Sequence, residues 1–354
     1  MVIYVYEGDN RTLVGVLSEY ESVCINQYYN EVGTIRLRIL DGQNSSNPWI
    51  LPDTWLWPQG CSEIFIVETV ERTYNGLYTQ TDIRGSTATN LLKRRCVTLD
   101  AFQMSTSGQL MSYLLNYEFG TNARRPFPGL TMNVNTGLGQ SVLFQTAPDT
   151  LLYVVDTLCN NDNIGYATYF NPDSKSMAFT TYTGQDYSVT NGYLPVLIDP
   201  EYEYVQETTY KEDIHLMANY GYAYGEMNTA VNPPVQKKTT YDASGGASGY
   251  QLFEYVVRFD KRSKTEQYIL TDQQYLQSMQ DYTRQLLMKR RRVIQTRGVL
   301  LGDSEQYVLG EDYNLGDTVT FRDKKHDTQY DGMVKEIERS IERGIMTTRI
   351  SIAR

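Results

Sequence analysis

Two histidines, His215 and His326, are the whole imidazole content of this 354-residue chain. A Ser-His-Asp relay or a histidine-rich metal site therefore has little to work with. The four cysteines, Cys24, Cys61, Cys96 and Cys159, are scattered and form no CxxC pair, so neither a zinc site nor a disulfide framework is expected. Glycoside hydrolysis asks for less, only two carboxylates at a set separation. Residues 199–213 (DPEYEYVQETTYKED) carry acids interleaved with tyrosines that could serve as sugar platforms. The same pattern describes a wet strand face or an intersubunit contact, and that is the reading adopted. Gly137-Leu138-Gly139 lacks the strand-turn-helix context of a phosphate loop. Arg124-Arg125 and residues 289–292 (KRRR) read as helix-end or interface cations rather than a nucleic-acid patch. Asp317, after Leu315 and Gly316, suits a turn in which its carboxylate accepts backbone N–H bonds. No catalytic residue, cofactor or metal ligand is expected.

The composition points first to a β-rich protein. Tyrosine is the outlier, with 30 copies. Its ring packs well on pleated sheets, and it is enriched where an apolar body meets a half-wet interface. The formal net charge of −10 is opposite to that of a duplex-binding protein. An acidic wall can still line a path for DNA, because like charge prevents sticking. The N-terminus (MVIYVYEGDN) has no signal-peptide pattern, and no apolar run reaches the length of a membrane span. Folding in a reducing cytoplasm with free thiols is expected.

The elements that must position these residues are mostly strands. Residues 33–40 (GTIRLRIL) alternate strictly, and 64–74 and 77–83 form a hairpin about Asn75-Gly76, a pair suited to a type I′ turn. Helices are expected over 88–95, 106–117, 149–158 and 271–292, the third capped by Asp149 or preceded by Pro148, the last capped by Thr271. Tyr275, Met279, Tyr282 and Leu286 give the last one an apolar stripe. Residues 228–249, with Pro233-Pro234 and Gly245-Gly246, read as an exposed loop.

One internal likeness organises the whole. VETVERTYNGLYTQTDI begins at Val67 and VKEIERSIERGIMTTRI at Val334. Each places an apolar residue three after its valine, then Glu-Arg, then a glycine turn (Gly76, Gly344), then a Thr-rich strand, the second turn reading one residue longer. This predicts two copies of one small barrel with other material between them. Three such chains would place six similar units in a ring, so that a threefold object can dock on a sixfold one.

The segments IYVYEGDNRTLVGVLSEYES, QYYNEVGTIRLRI, RGSTATNLLKRRCV, NARRPFPGL, ANYGYAYGE and YNLGDTVTF carry, in order and spacing, a resemblance to the siphophage tail-hub proteins. That family shares its fold with the baseplate hub of contractile tails. The resemblance implies an α+β, mainly β chain with two antiparallel tube-type β-barrels and an inserted mixed outer domain. The expected division is 1–97 for the first barrel, 98–205 and 232–299 for the outer domain, and 206–231 and 300–354 for the second barrel. It implies a non-enzymatic homotrimer in the virion tail, assembled in the host bacterial cytoplasm. The trimer would close or extend the distal end of the tail tube. Its expected partners are the distal tail protein ring, the tape measure and tip or fibre proteins. DNA would pass without specific binding, and no membrane is involved. Many relatives carry a long C-terminal extension. This chain stops at Arg354, so receptor binding or wall cleavage is expected on another polypeptide. The alternatives left open are a tail-associated carbohydrate-active or cell-wall-degrading enzyme, and the same hub in a tailocin or contractile injection particle.

Overall fold

The computed structural model describes the chain apart from residues 9, 10, 43–48, 75, 98–100, 105, 121, 122, 124, 125, 146–148, 202–204, 265–268 and 301–306. Asn75, Arg124, Arg125 and Pro148 lie outside the described residues. Among the described residues the elements of the first quarter are all strands: β1 (Ile3–Tyr6), β2 (Leu13–Leu17), β3 (Ser22–Tyr28), β4 (Thr34–Gly42), β5 (Trp55–Pro58), β6 (Phe65–Tyr74) and β7 (Tyr78–Thr87). A 3-10 helix (Ala88–Arg94) leads to β8 (Cys96–Val97), β9 (Ala101–Met104), α1 (Ser107–Phe119), β10 (Leu130–Asn133), β11 (Val142–Gln145) and β12 (Asp149–Thr150). Then come α2 (Leu151–Asp162), β13 (Gly165–Asn171), β14 (Ser176–Tyr182), β15 (Leu197–Ile198) and β16 (Val205–Asp213). The remainder holds β17 (Tyr220–Asn228), β18 (Val235–Asp242), β19 (Glu254–Arg258), α3 (Asp272–Met288), β20 (Val293–Leu300), β21 (Thr318–Asp323), β22 (Thr328–Glu342) and β23 (Ile345–Ala353).

The chain is mainly β, and its longer ladders are antiparallel. Among the described residues a 13-stranded sheet runs β16-β20-β23-β22-β3-β4-β7-β6-β5-β1-β2, with β21 on β22 and β15 on β21. Two apolar cores lie along it. Val23, Ile35, Phe65 and Ile83 belong to the first, and Val319, Phe321, Val334 and Ile350 to the second. Alternation produces this directly: in β3, Val23, Ile25 and Gln27 point inward and their neighbours are half-exposed. Instead of two separately closed barrels, the described ladders form one open path, because the 15-residue strand β22 serves both halves. Its first part pairs with β21 and its second part with β3.

The middle of the chain packs α1, α2 and the β10-β14-β13 sheet into a third core around Leu114, Leu158 and Tyr166. Capping differs from expectation at α2, whose cap is Thr150, accepting from Tyr153 N–H. Asp149 is occupied otherwise, since its carboxylate accepts the Thr150 N–H. A separate sheet, β18-β17-β19, carries α3 on one face. Strand pairing thus puts β17 with this outer sheet and β20 in the large one. β18 crosses the stretch expected to be loop. It is an edge strand with little burial on either face, so no apolar alternation marks it.

α3 buries Tyr275 and Met279 against Ala223, Val257 and Phe259. It stops at Met288, short of the predicted 292, because Ala218 N–H bonds the Arg290 carbonyl and the chain enters β20 at Val293. Two of the cations at 289–292 are held within the chain. Arg290 sits 4.0 Å over the Tyr255 ring, and Arg292 pairs with Glu212. The N-terminus is a full capping box between Thr271 and Gln274. Thr271→Ala is expected to destabilise by about 1 kcal/mol. Urea unfolding with hydrogen exchange over α3 checks this, and unchanged exchange there would sink it.

Candidate functional site

The two hairpins singled out in the sequence, β6–β7 and β22–β23, match step for step. Val70 pairs with Ile83, and Ile337 with Ile350. Tyr74 pairs with Thr79, and Ile341 with Met346, so the two turns span equal lengths. The glycine is what shifts by one place, not the loop. Gly344 (φ +82°) follows Arg343 (φ +51°) in a two-residue type I′ turn, and Gly76 has φ +91°. Each hairpin carries one bulge at the same step, Glu68 after Val67 and Lys335 after Val334. The bulge explains the odd spacing of three between inward-facing residues, because an extra residue restores the same face. The flanking strands agree as well: β5 and β21 lie on one side, β4 and β20 on the other.

The bulged residues tie each hairpin to its surroundings. Glu68 accepts from Ser86 Oγ (2.8 Å) and from Asn90 of the 3-10 helix. Lys335 donates to Asn163 Oδ1 (2.7 Å) and lies 4.8 Å over the Tyr29 ring. Burial pushes the Lys335 ammonium down to about 8. Tyr29 is the centre of the junction. Its ring is fully buried, its N–H bonds the Lys335 carbonyl, and its hydroxyl donates to the Asn163 carbonyl at 2.9 Å. A Cβ added to Gly165 would lie 2.2 Å from that ring, and one added to Gly316 would lie 2.3 Å from it. Three distant stretches of chain therefore close on one aromatic side chain.

Leu315, Gly316 and Asp317 form the turn that enters β21. Gly316 has φ +91° and its N–H bonds the Val334 carbonyl. Asp317 is buried and clamps two segments, accepting from Gln185 N–H and Asn314 N–H at 2.7 Å each. Burial raises its carboxyl, opposed by those two bonds. Leu315 is half-buried and lines a cleft. Gly76 and Gly344 lie at the hairpin tips, apart from this turn.

That cleft has a volume of about 610 Å³ and lies between the two half-sheets and the middle segment. On its floor Glu63 is 6% exposed and accepts from Gln27 Nε2 at 2.9 Å. Arg339 reaches Gln27 Oε1 at 3.4 Å. Burial holds the Glu63 carboxyl up at about 7, opposed by the Gln27 bond. Neither histidine lines the cleft. His326 bonds Asp323 at an exposed turn, and His215 is exposed. Asp199 is buried in an ion pair with Arg322 (2.8 Å), Glu201 pairs with Lys324, and Glu207, Glu212 and Asp213 lie on the edge strand β16. No group of three or more potential metal ligands occurs among the described residues, and none of their helices is long and apolar enough to cross a membrane. The arrangement is suited to holding parts of a fold together. Tyr29, Gly165, Glu63 and Lys335 escaped the sequence reading, and only Lys335 left a signal, in the three-residue spacing of the hairpin.

The chain matches the model of the family described as Siphovirus ReqiPepy6 Gp37-like protein over residues 2–352. No curated protein matches it in sequence. Among solved structures it is similar to the 43 kDa tail protein of prophage MuSo2 from Shewanella oneidensis, with 11% identity and TM-score 0.63 over 100% of this chain and 98% of that one. A tail protein from Neisseria meningitidis MC58 gives 10% identity and TM-score 0.63 over 100% and 96%. Prophage tail protein gp18 from Listeria monocytogenes EGD-e gives 13% identity and TM-score 0.57 over 100% and 94%. The fold is thus shared with phage tail proteins, and the chain belongs to the siphovirus ReqiPepy6 Gp37-like protein family.

Proposed function

We propose that the protein is the structural hub at the distal end of the tail tube, a homotrimer that joins the distal tail ring to the tip and leaves a channel for DNA. The observation that carries this is the repeat. Two hairpins share register, bulge position and flanking strands within one chain. In this reading residues 1–97 and the half-sheet of β16 and β20–β23 are the two ring-forming units, and the middle segment with its small sheets stands outside. Three chains then supply six like units, which meet a sixfold neighbour without mismatch.

Charge supports passage rather than retention of DNA. Three chains at −10 each carry −30. Only charges within roughly 8 Å of a strand act on it at physiological salt, so a neutral to acidic wall is what the reading requires. The expected result is a particle of three times 40.7 kDa by light scattering, seen as a ring in electron micrographs. Titration with duplex DNA at low salt should show no tight binding. A stable monomer, or tight binding that weakens steeply with salt, would count against the hub.

A further inference from the structure

Among the described residues, the large sheet has one complete junction between the two repeats and two strand edges that correspond to the halves of a second. The complete one joins the outer part of β22 to β3, with Ile337 opposite Gln27 and Ile341 opposite Val23. The counterpart of β22 is β6. Its residues 69–74, beyond the bulge, pair with β7 on one side, and no described strand pairs with their other edge. The counterpart of β3 is β16, which ends the large sheet.

The repeat also fixes how these two edges would align. Leu37 pairs with Ile83, and Gly298 with Ile350, so Leu37 and Gly298 are equivalent. Val23 pairs with Leu37, and Thr208 with Gly298, so Val23 corresponds to Thr208 and Gln27 to Glu212. Both segments are regular between these points. Resting on the hub reading above, we infer that β6 of one subunit adds antiparallel to β16 of the next, with Val70 opposite Glu212, Arg72 opposite Tyr210 and Tyr74 opposite Thr208.

Side-chain chemistry fits this register. On the outer face Glu71 falls opposite Lys211, an opposite-charge cross-strand pair. A slip of two residues, the smallest that keeps the faces, sets Glu71 against Asp213 in one direction and against Thr209 in the other. On the core face Tyr210 is 42% exposed and Tyr74 67%, whereas Ile25, the counterpart of Tyr210 at the filled junction, is 2% exposed. Ile341, the counterpart of Tyr74, packs against the first core. The two edges differ from each other, so the contact is head-to-tail rather than a two-fold pair, and the threefold ring of the hub reading is what closes it.

Cysteine pairs test the register in the full chain, with the exposed Cys96 first changed to serine. Directly opposed residues in an antiparallel pair have Cα atoms about 4.5–5.5 Å apart, within disulfide range. Glu71→Cys with Lys211→Cys should give intersubunit disulfides at least about tenfold faster than Glu71→Cys with Thr209→Cys, whose residues would be offset by two. Charge reversal gives an independent readout on exposed positions. Glu71→Lys and Lys211→Glu should each raise the concentration needed for assembly by about tenfold, since the like charges recur at three seams. The double reversal should restore it. A trimer in which the 71–209 pair links equally well, or neither pair links and both reversals are silent, overturns this seam and leaves the hub standing. A chain that stays monomeric at every concentration overturns both.

Discussion

Gly316→Val is expected to destabilise the protein by about 3 kcal/mol or more. Two penalties coincide there. The backbone sits at φ +91°, where a β-branched residue is strained by roughly 1–3 kcal/mol. The new Cβ would also press to 2.3 Å of the Tyr29 ring, which is already in close contact with Gly165. Tyr29 cannot retreat, because its hydroxyl and N–H are both bonded within the junction. Gly344→Val supplies the comparison. Its φ is +82° but nothing lies within 4 Å of an added Cβ, so only the backbone penalty of roughly 1–3 kcal/mol remains. Urea midpoints for the two variants separate the contributions. Equal losses would mean that contact with Tyr29 is not what makes glycine necessary at 316.

Glu63→Gln should make the protein more stable above neutral pH and should flatten its stability between about pH 4.5 and 7. The folded structure holds the Glu63 carboxyl at about 7, above its ordinary value of 4.5, because ionising it at 6% exposure loses hydration that the Gln27 bond does not replace. A group raised on folding contributes its full stability below the unfolded value and loses it as pH rises through the folded one. The rise corresponds to about 3 kcal/mol lost across that window, so the variant should exceed the parent by up to that amount at pH 8. Asp156, raised to about 6 by burial, titrates in the same range. The difference between variant and parent, taken at each pH by urea unfolding, isolates Glu63. A parent curve that parallels the variant from pH 4.5 to 8 would mean the carboxylate is already ionised at no expense.

These two sites differ in how far they could be read in advance. Leu315-Gly316-Asp317 announced a turn, since glycine followed by aspartate ahead of an alternating run has local conformational meaning. Glu63 announced nothing. It becomes a buried acid only because Tyr169 bridges to it and Gln27 arrives from a different strand. The likeness of the hairpins was legible, because the step of three from Val67 to Val70 recurs from Val334 to Ile337, but the bulges behind that step and the equal length of the two turns emerged only from the strand register. The cap at Thr271 was legible because a threonine ahead of an apolar stripe has local meaning, whereas the cap at Thr106 was not singled out.

The sequence by itself determined the mainly β character, the acidic balance and the likeness of the two hairpins. Each of these rests on periodicity or composition within a few residues, and a side chain's face follows from its place in a strand. The tertiary structure alone decided that β22 would bind both halves, that β18 would be an edge strand, and that Tyr29, Gly165 and Gly316 would meet. The β22–β3 pairing and the contacts of Tyr29 with Gly165 and Gly316 join segments more than a hundred residues apart. The competing pairings differ in packing and backbone hydrogen bonds, terms that do not exist until the segments touch.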